Sequence, residues 1–199
     1  MNNSFPTYDY FMSNIIHPTE RSRKNMNLRY RYYSTKHSIS KLLNPKKIAE
    51  FGVRYGYSGY AICSGSSSVE LYHGYDKAGL EGGVKDSKAH TYAKSLISPY
   101  APVCNIYNTT TEKLVGKPMP LYDFVHVDAG HKYNDVIRDL ELAFNCSTNN
   151  GYILIDDFDA IKDVKKATKE FLIKKRSSIE SSLYFDGLKG ELLIKLNKG

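Results

Sequence analysis

The chain has 199 residues, 41% hydrophobic and 25% charged, the balance of a soluble globular protein with one substantial core. No apolar run approaches the roughly 18 residues of a membrane span, and three widely spaced cysteines (Cys63, Cys104, Cys146) argue against a disulfide framework or a zinc site and for reduced core thiols. The net charge of +7 is uneven: nine Lys and Arg against three Asp and Glu in residues 1–50, ten against five in 160–199, but nine against thirteen in 51–159. An acidic centre between basic ends suits a cation-holding site within a solvated basic exterior, and nucleic-acid binding is the alternative reading.

The N-terminus is polar and rich in tyrosine, without an apolar signal core, so a cytoplasmic protein is expected. Residues 1–35 show no clear periodicity and contain Arg29-Tyr-Arg-Tyr-Tyr33, read as an arm that packs on the domain or caps a substrate. Ile39, Leu42 and Leu43 predict a short helix before the first strand. Strand one is expected at Ile48–Phe51, a helix from Tyr57 to Ser64, and strand two at Val69–Tyr75. Gly79, Gly82 and Gly83 predict a flexible loop, followed by a helix around Lys88–Ile97, strand three at Val103–Tyr107 and strand four at Tyr122–Asp128. Tyr133, Val136, Ile137, Leu140 and Phe144 recur at helical spacing. Asn149-Asn-Gly151 reads as a turn before the apolar strand Tyr152–Ile155. A helix near Val164–Lys175 then leads to a hairpin of Ser182–Phe185 and Glu191–Leu196. The alternation predicts an α/β fold: a Rossmann-like, doubly wound, mainly parallel seven-stranded sheet, helices on both faces, and a C-terminal antiparallel hairpin. Residues 36–199 form the expected catalytic domain behind the 1–35 arm.

Ligands of such sheets bind beyond the carboxyl ends of the strands. Acidic residues stand at nearly every such end: Glu50, Asp76, Asp128 and Asp156-Asp157. Like charges gathered on one edge repel, so a compensating cation is expected. Glu50 precedes a turn spaced Glu-x-Gly-x-x-x-Gly, in which Gly52 and Gly56 let backbone approach a ligand and Glu50 awaits an amine or hydroxyl. That spacing is not the Gly-x-Gly-x-x-Gly of dinucleotide binders. Asp76, ending strand two, is placed to hold ribose hydroxyls. His126 shares a strand face with Phe124 and Asp128 and reads as a satisfied core histidine.

The Glu50–Ser58 segment, Phe124-Val-His-Val-Asp-Ala-Gly-His-Lys-Tyr133 with Asp139-Leu140, and Gly151–Asp157 together resemble class I S-adenosylmethionine (SAM)-dependent methyltransferases. The branch resembled holds metal-dependent small-molecule O-methyltransferases and sugar methyltransferases, over roughly residues 38–160. The resemblance implies that Glu50, Gly52, Val53, Gly56, Tyr57, Ser58, Asp76, Thr110 and Asp128 hold the donor. It implies that Asp128, Asp156 and Asp157 bind Mg²⁺, and an all-oxygen set suits such a hard cation. Catechol-type relatives carry a general-base lysine three residues beyond the first metal Asp. Here His131 stands at that position, an acceptable base, with Lys132 beside it. Sugar-modifying relatives often have a second Asp two residues after the first, where this chain has Gly130.

The expected activity is therefore methyl transfer from SAM to a hydroxyl of a small molecule, assisted by a divalent metal. An RNA acceptor and a non-catalytic SAM-binding protein are the alternatives. Against RNA, Asp-Ala-Gly-His follows strand four instead of the Asn/Asp-Pro-Pro-Tyr type of base-modifying enzymes. No membrane partner is expected, and a homo-oligomer is compatible with the sequence.

Overall fold

The structure is a computed structural model that describes residues 4–77 and 88–199. The predicted glycine loop at Gly79, Gly82 and Gly83 lies outside the described residues. The N-terminal segment forms a helical turn α1 (Tyr8–Tyr10), a π-turn (Phe11–Ile15) and a 3₁₀ turn (Pro18–Glu20), then α2 (Met26–Leu43). There follow β1 (Lys47–Phe51), α3 (Tyr57–Gly65), β2 (Leu71–Asp76), α4 (Ala89–Ile97), β3 (Val103–Asn108) and β4 (Tyr122–Val127). The chain closes with α5 (Tyr133–Cys146), β5 (Ser147–Ile155), α6 (Lys162–Lys174), β6 (Ile179–Phe185) and β7 (Glu191–Leu196). All seven strands join one sheet in the order β3-β2-β1-β4-β5-β7-β6, with β1 to β5 parallel and the β6–β7 hairpin antiparallel, as expected.

Period-two alternation splits the strand residues between two cores. Ala49, Phe51, Val125, Val127, Ile153 and Ile155 face one, packed with Val136 and Leu140 of α5 and Val164 and Phe171 of α6. Ile48, Phe124 and Leu154 face the other, under α2 and α3. By the same alternation Glu50, His126 and Glu191 stand on the α2 side of the sheet, and they need partners there. Register sets Glu50 beside His126 across the β1–β4 pair.

Two elements differ from the sequence reading. The short helix expected before β1 is an 18-residue helix that takes in the whole Arg-Tyr run and passes through residue 35 unbroken. Its buried face is Met26, Tyr32, Tyr33, Lys36, His37, Ile39 and Ser40, helical in spacing but largely polar, which hid the period. The turn expected at Asn149–Gly151 is absorbed into β5, as an irregularity that pairs Tyr122 with Ser147 but Phe124 with Tyr152. Residues of the N-terminal segment contact α3 and α4. Phe11 and Ile16 are buried, the Tyr92 hydroxyl donates to the Ile15 carbonyl (2.9 Å), and the His17 amide donates to the Tyr57 hydroxyl (2.9 Å). All three cysteines are buried and free. Among the described residues no helix is long and apolar enough to cross a membrane.

Candidate functional site

A cavity of about 780 Å³ opens over the carboxyl ends of the central strands, lined by residues that follow β1, β2, β3 and β4. At its β1 end Gly52 has φ +89°, and any Cβ there would lie 2.0 Å from the carbonyl oxygen of Asp128. Only glycine supplies that conformation and that proximity, so the turn after β1 lies directly on the residue after β4. Val53, Tyr57 and Ser58 also line the cavity, with Asp76 and Thr110. Gly56 is not among the lining residues; it precedes α3, against Ala93 of α4. The Asp76 carboxylate accepts the amides of Val53 (3.1 Å) and Arg54, so it also organises the glycine turn. The Thr110 hydroxyl is buried beside the cavity with no hydrogen-bond partner, a polar atom left for a ligand to satisfy. These features fit the adenosine end of SAM.

Glu50 is not at the cavity. It is wholly buried under the strand tip, where its carboxylate accepts the Tyr72 hydroxyl and His126 Nδ1 (3.0 Å). His126 Nε2 lies 3.2 Å from the Lys36 ammonium. An ammonium can only donate, so Nε2 accepts and the ring proton sits on Nδ1, facing Glu50. Lys36, itself fully buried, also bonds Glu191, and its charge lies 4.1 Å above the Tyr32 ring. His126 is thus a satisfied core histidine, as expected, and Glu50 belongs to a buried charge chain reaching from α2 across the sheet.

The acidic strand ends are arranged unequally. Asp128 lines the cavity, 3.6 Å from His131 Nε2, and that imidazole is 3.0 Å from Asp157 Oδ2. Asp157, with φ +57°, is buried beneath and meets the Lys189 ammonium at 3.0 Å. Asp156 turns inward: it accepts the Tyr32 hydroxyl and its neighbour's amide (2.8 Å), with Lys189 3.9 Å away. Asp128, His131 and Asp157 therefore cluster, their ligand atoms within 4.8 Å of one another, while Asp156 stands outside. Two carboxylates and an imidazole fit a divalent cation in kind, with the difference from expectation that His131 joins the cluster and Asp156 does not. Lys132 is exposed and does not line the cavity.

Burial, and then the Asp156 charge, push the Asp128 carboxyl up to about 7. Hydrogen bonding to Asp128 and then to Asp157 raises His131 to about 10. Burial alone would raise Asp156 too, but the Lys36 and Lys189 charges overcome it and hold that carboxyl below its ordinary range. The cations expected to offset the clustered carboxylates include the chain's own Lys36, Lys189 and His131. Sequence reasoning missed Lys36 and Lys189; the Lys189 signal lay in the hairpin link Asp-Gly-Leu-Lys-Gly, which β5–β7 pairing brings back over the β5 end.

Residues 49–158, more than half of the chain, match the model of a methyltransferase domain. No curated protein sequence matches it. Among solved structures it is similar to the S-adenosylhomocysteine (SAH)-bound methyltransferase PaMTH1 of Podospora anserina, at 15% identity and TM-score 0.66, covering 97% of this chain and 89% of that one. It is similar to the O-methyltransferase TomG of Streptomyces achromogenes in complex with SAM, at 16% identity and TM-score 0.61, covering 84% and 80%. It is also similar to an O-methyltransferase of Bacillus cereus in complex with SAH, at 15% identity and TM-score 0.59, covering 92% and 82%. At such identities the likeness carries the fold.

Proposed function

This chain belongs to the methyltransferase-domain family, and we propose that it transfers a methyl group from SAM to a hydroxyl oxygen of a small molecule. The observation that carries the reading is the contact of the two halves of the cavity: the glycine turn, Asp76 and Thr110 on one side, Asp128 and His131 on the other, touching at Gly52. An acceptor hydroxyl at the Asp128–His131 pair faces a donor lying over the turn. The oxygen attacks the methyl carbon, the carbon–sulfur bond breaks with its electron pair going to sulfur, and the hydroxyl proton passes to the pair. The sulfonium already activates the methyl group, so alignment of oxygen, carbon and sulfur is the protein's main contribution, worth up to roughly 7–11 kcal/mol.

Asp128 and Asp157, the oxygen ligands of the cluster, would hold Mg²⁺ in place of the His131 positive charge, which would free that imidazole to take the proton. When bound, the cation would supply positive charge that favours the ionised acceptor oxygen. The test is release of SAH from SAM against a panel of hydroxylated small molecules, with and without EDTA. Turnover lost in Asp128→Asn supports the reading; donor binding without turnover on any acceptor sinks it in favour of a binding protein. The basic ends of the chain support a second reading, an RNA acceptor, for which binding must weaken steeply with salt.

A further inference from the structure

Arg29 is a cation of this site that the proposed chemistry does not use. It projects from α2 into the cavity wall, and its Nε is buried with no hydrogen-bond partner. The other half-buried cationic side chains of the wall each have a carboxylate within 4 Å. Lys189 has Asp157 at 3.0 Å, Arg138 has Asp135 at 3.0 Å, and His90 has Asp76 at 3.6 Å. Among the described residues Arg29 has none. Burying a guanidinium N–H donor without an acceptor is costly. The fork is therefore built for an anion that arrives with a ligand.

Its surroundings narrow the choice. The Arg29 charge acts on the Tyr33 hydroxyl. The Tyr33 ring packs edge-on against Tyr57 at 5.8 Å, and Tyr57 opens α3 just after the glycine turn. One residue before Tyr33, Tyr32 bonds Asp156 beside the acceptor cluster. Arg29 thus stands where the donor and acceptor halves of the cavity meet. A planar fork in that position matches a carboxylate bidentately, and SAM carries one at its amino-acid end.

We infer that Arg29 is a carboxylate receptor of the cavity. The inference rests on the proposed donor reading. The carboxylate comes from the amino-acid end of the donor or from an acidic acceptor, and binding measurements separate the two. On the full chain, the dissociation constants of SAH and of methylthioadenosine, which lacks the amino-acid end, are measured by calorimetry for the wild type, Arg29→Met and Arg29→Lys. Those of 3,4-dihydroxybenzoate and catechol are measured in the presence of SAH. A donor carboxylate predicts that Arg29→Met weakens SAH about 10- to 100-fold and leaves methylthioadenosine unchanged, with Arg29→Lys in between. An acidic acceptor predicts that loss for 3,4-dihydroxybenzoate alone, with catechol unchanged. SAH and 3,4-dihydroxybenzoate binding unchanged in Arg29→Met overturns the inference, as does an equal loss for charged and uncharged probes. A wild type that binds neither SAH nor methylthioadenosine overturns the donor reading itself. Circular dichroism of Arg29→Lys, which keeps the charge and the stem, separates loss of the receptor from loss of the fold.

Discussion

The contact of Gly52 with Asp128 predicts a graded series of glycine substitutions. In Gly52→Ala the new Cβ meets the Asp128 carbonyl oxygen at 2.0 Å and its carbonyl carbon at 2.6 Å, separations that Cβ atoms do not adopt. Both atoms are backbone, so the ends of β1 and β4 must part, which strains the Asp128 amide bond to the Phe51 carbonyl (2.8 Å). That bond is worth about 0.5–1.5 kcal/mol, and holding a side chain at φ +89° costs about 1–2 kcal/mol more. A loss of about 1.5–3.5 kcal/mol follows, a fall in Tm of roughly 3–14 °C for a chain of this size. Gly116→Ala has φ +75° but open space around it, so it should lose only about 1 kcal/mol. Gly187→Ala has open space and no positive φ, and should melt within about 2 °C of wild type. Scanning calorimetry orders the three, and SAH titration should show Gly52→Ala alone weakened. If Gly52→Ala melts with Gly187→Ala and binds SAH normally, the two halves of the site are not in contact as described.

Lys36→Met should destabilise by about 3–5 kcal/mol in urea titration, because it strands Glu191 in the interior. The double variant Lys36→Met/Glu191→Leu should recover most of that loss, and no recovery would show that Lys36 acts through packing alone. Tyr32→Phe removes the hydroxyl bonded to Asp156 and should cost about 1–3 kcal/mol, read by the same titration. Burial raises the thiols of Cys63 and Cys104 and pushes Cys146 up to about 12. The folded state then keeps protons that the unfolded thiols lose above their ordinary pKa of about 8.5. This contribution to stability is complete below that pH and is lost as pH rises toward the folded values. A thiol reagent at pH 8 should therefore react with none of the three in the native protein and with all three in guanidinium; rapid native labelling would contradict their burial.

The strand ends and their acidic residues were legible because apolar runs closing on Asp or Glu mark both the element and its carboxyl end. What the run does not carry is the face. Glu50 lies one residue short of the β1 end and shares the side of Ile48, so it points to α2 and is consumed by Tyr72 and His126. Asp156 and Asp157 are adjacent, yet the positive φ at Asp157 sends one to the His131 cluster while Tyr32 takes the other. Neither Tyr32 nor Lys36 looked like core, since α2 buries tyrosine, lysine, histidine and serine where a period search expects aliphatics. The acidic centre called for cations, and two of its internal ones came from segments outside it in sequence: Lys36 on α2 and Lys189 in the last hairpin.

A crystal structure of the protein with SAH tests the central claim most directly. The account predicts the adenosine over the glycine turn, its ribose at Asp76, its base beside the Thr110 hydroxyl, and its sulfur turned toward Asp128 and His131. SAH bound elsewhere, or a cavity that stays empty at saturating SAH, would contradict it.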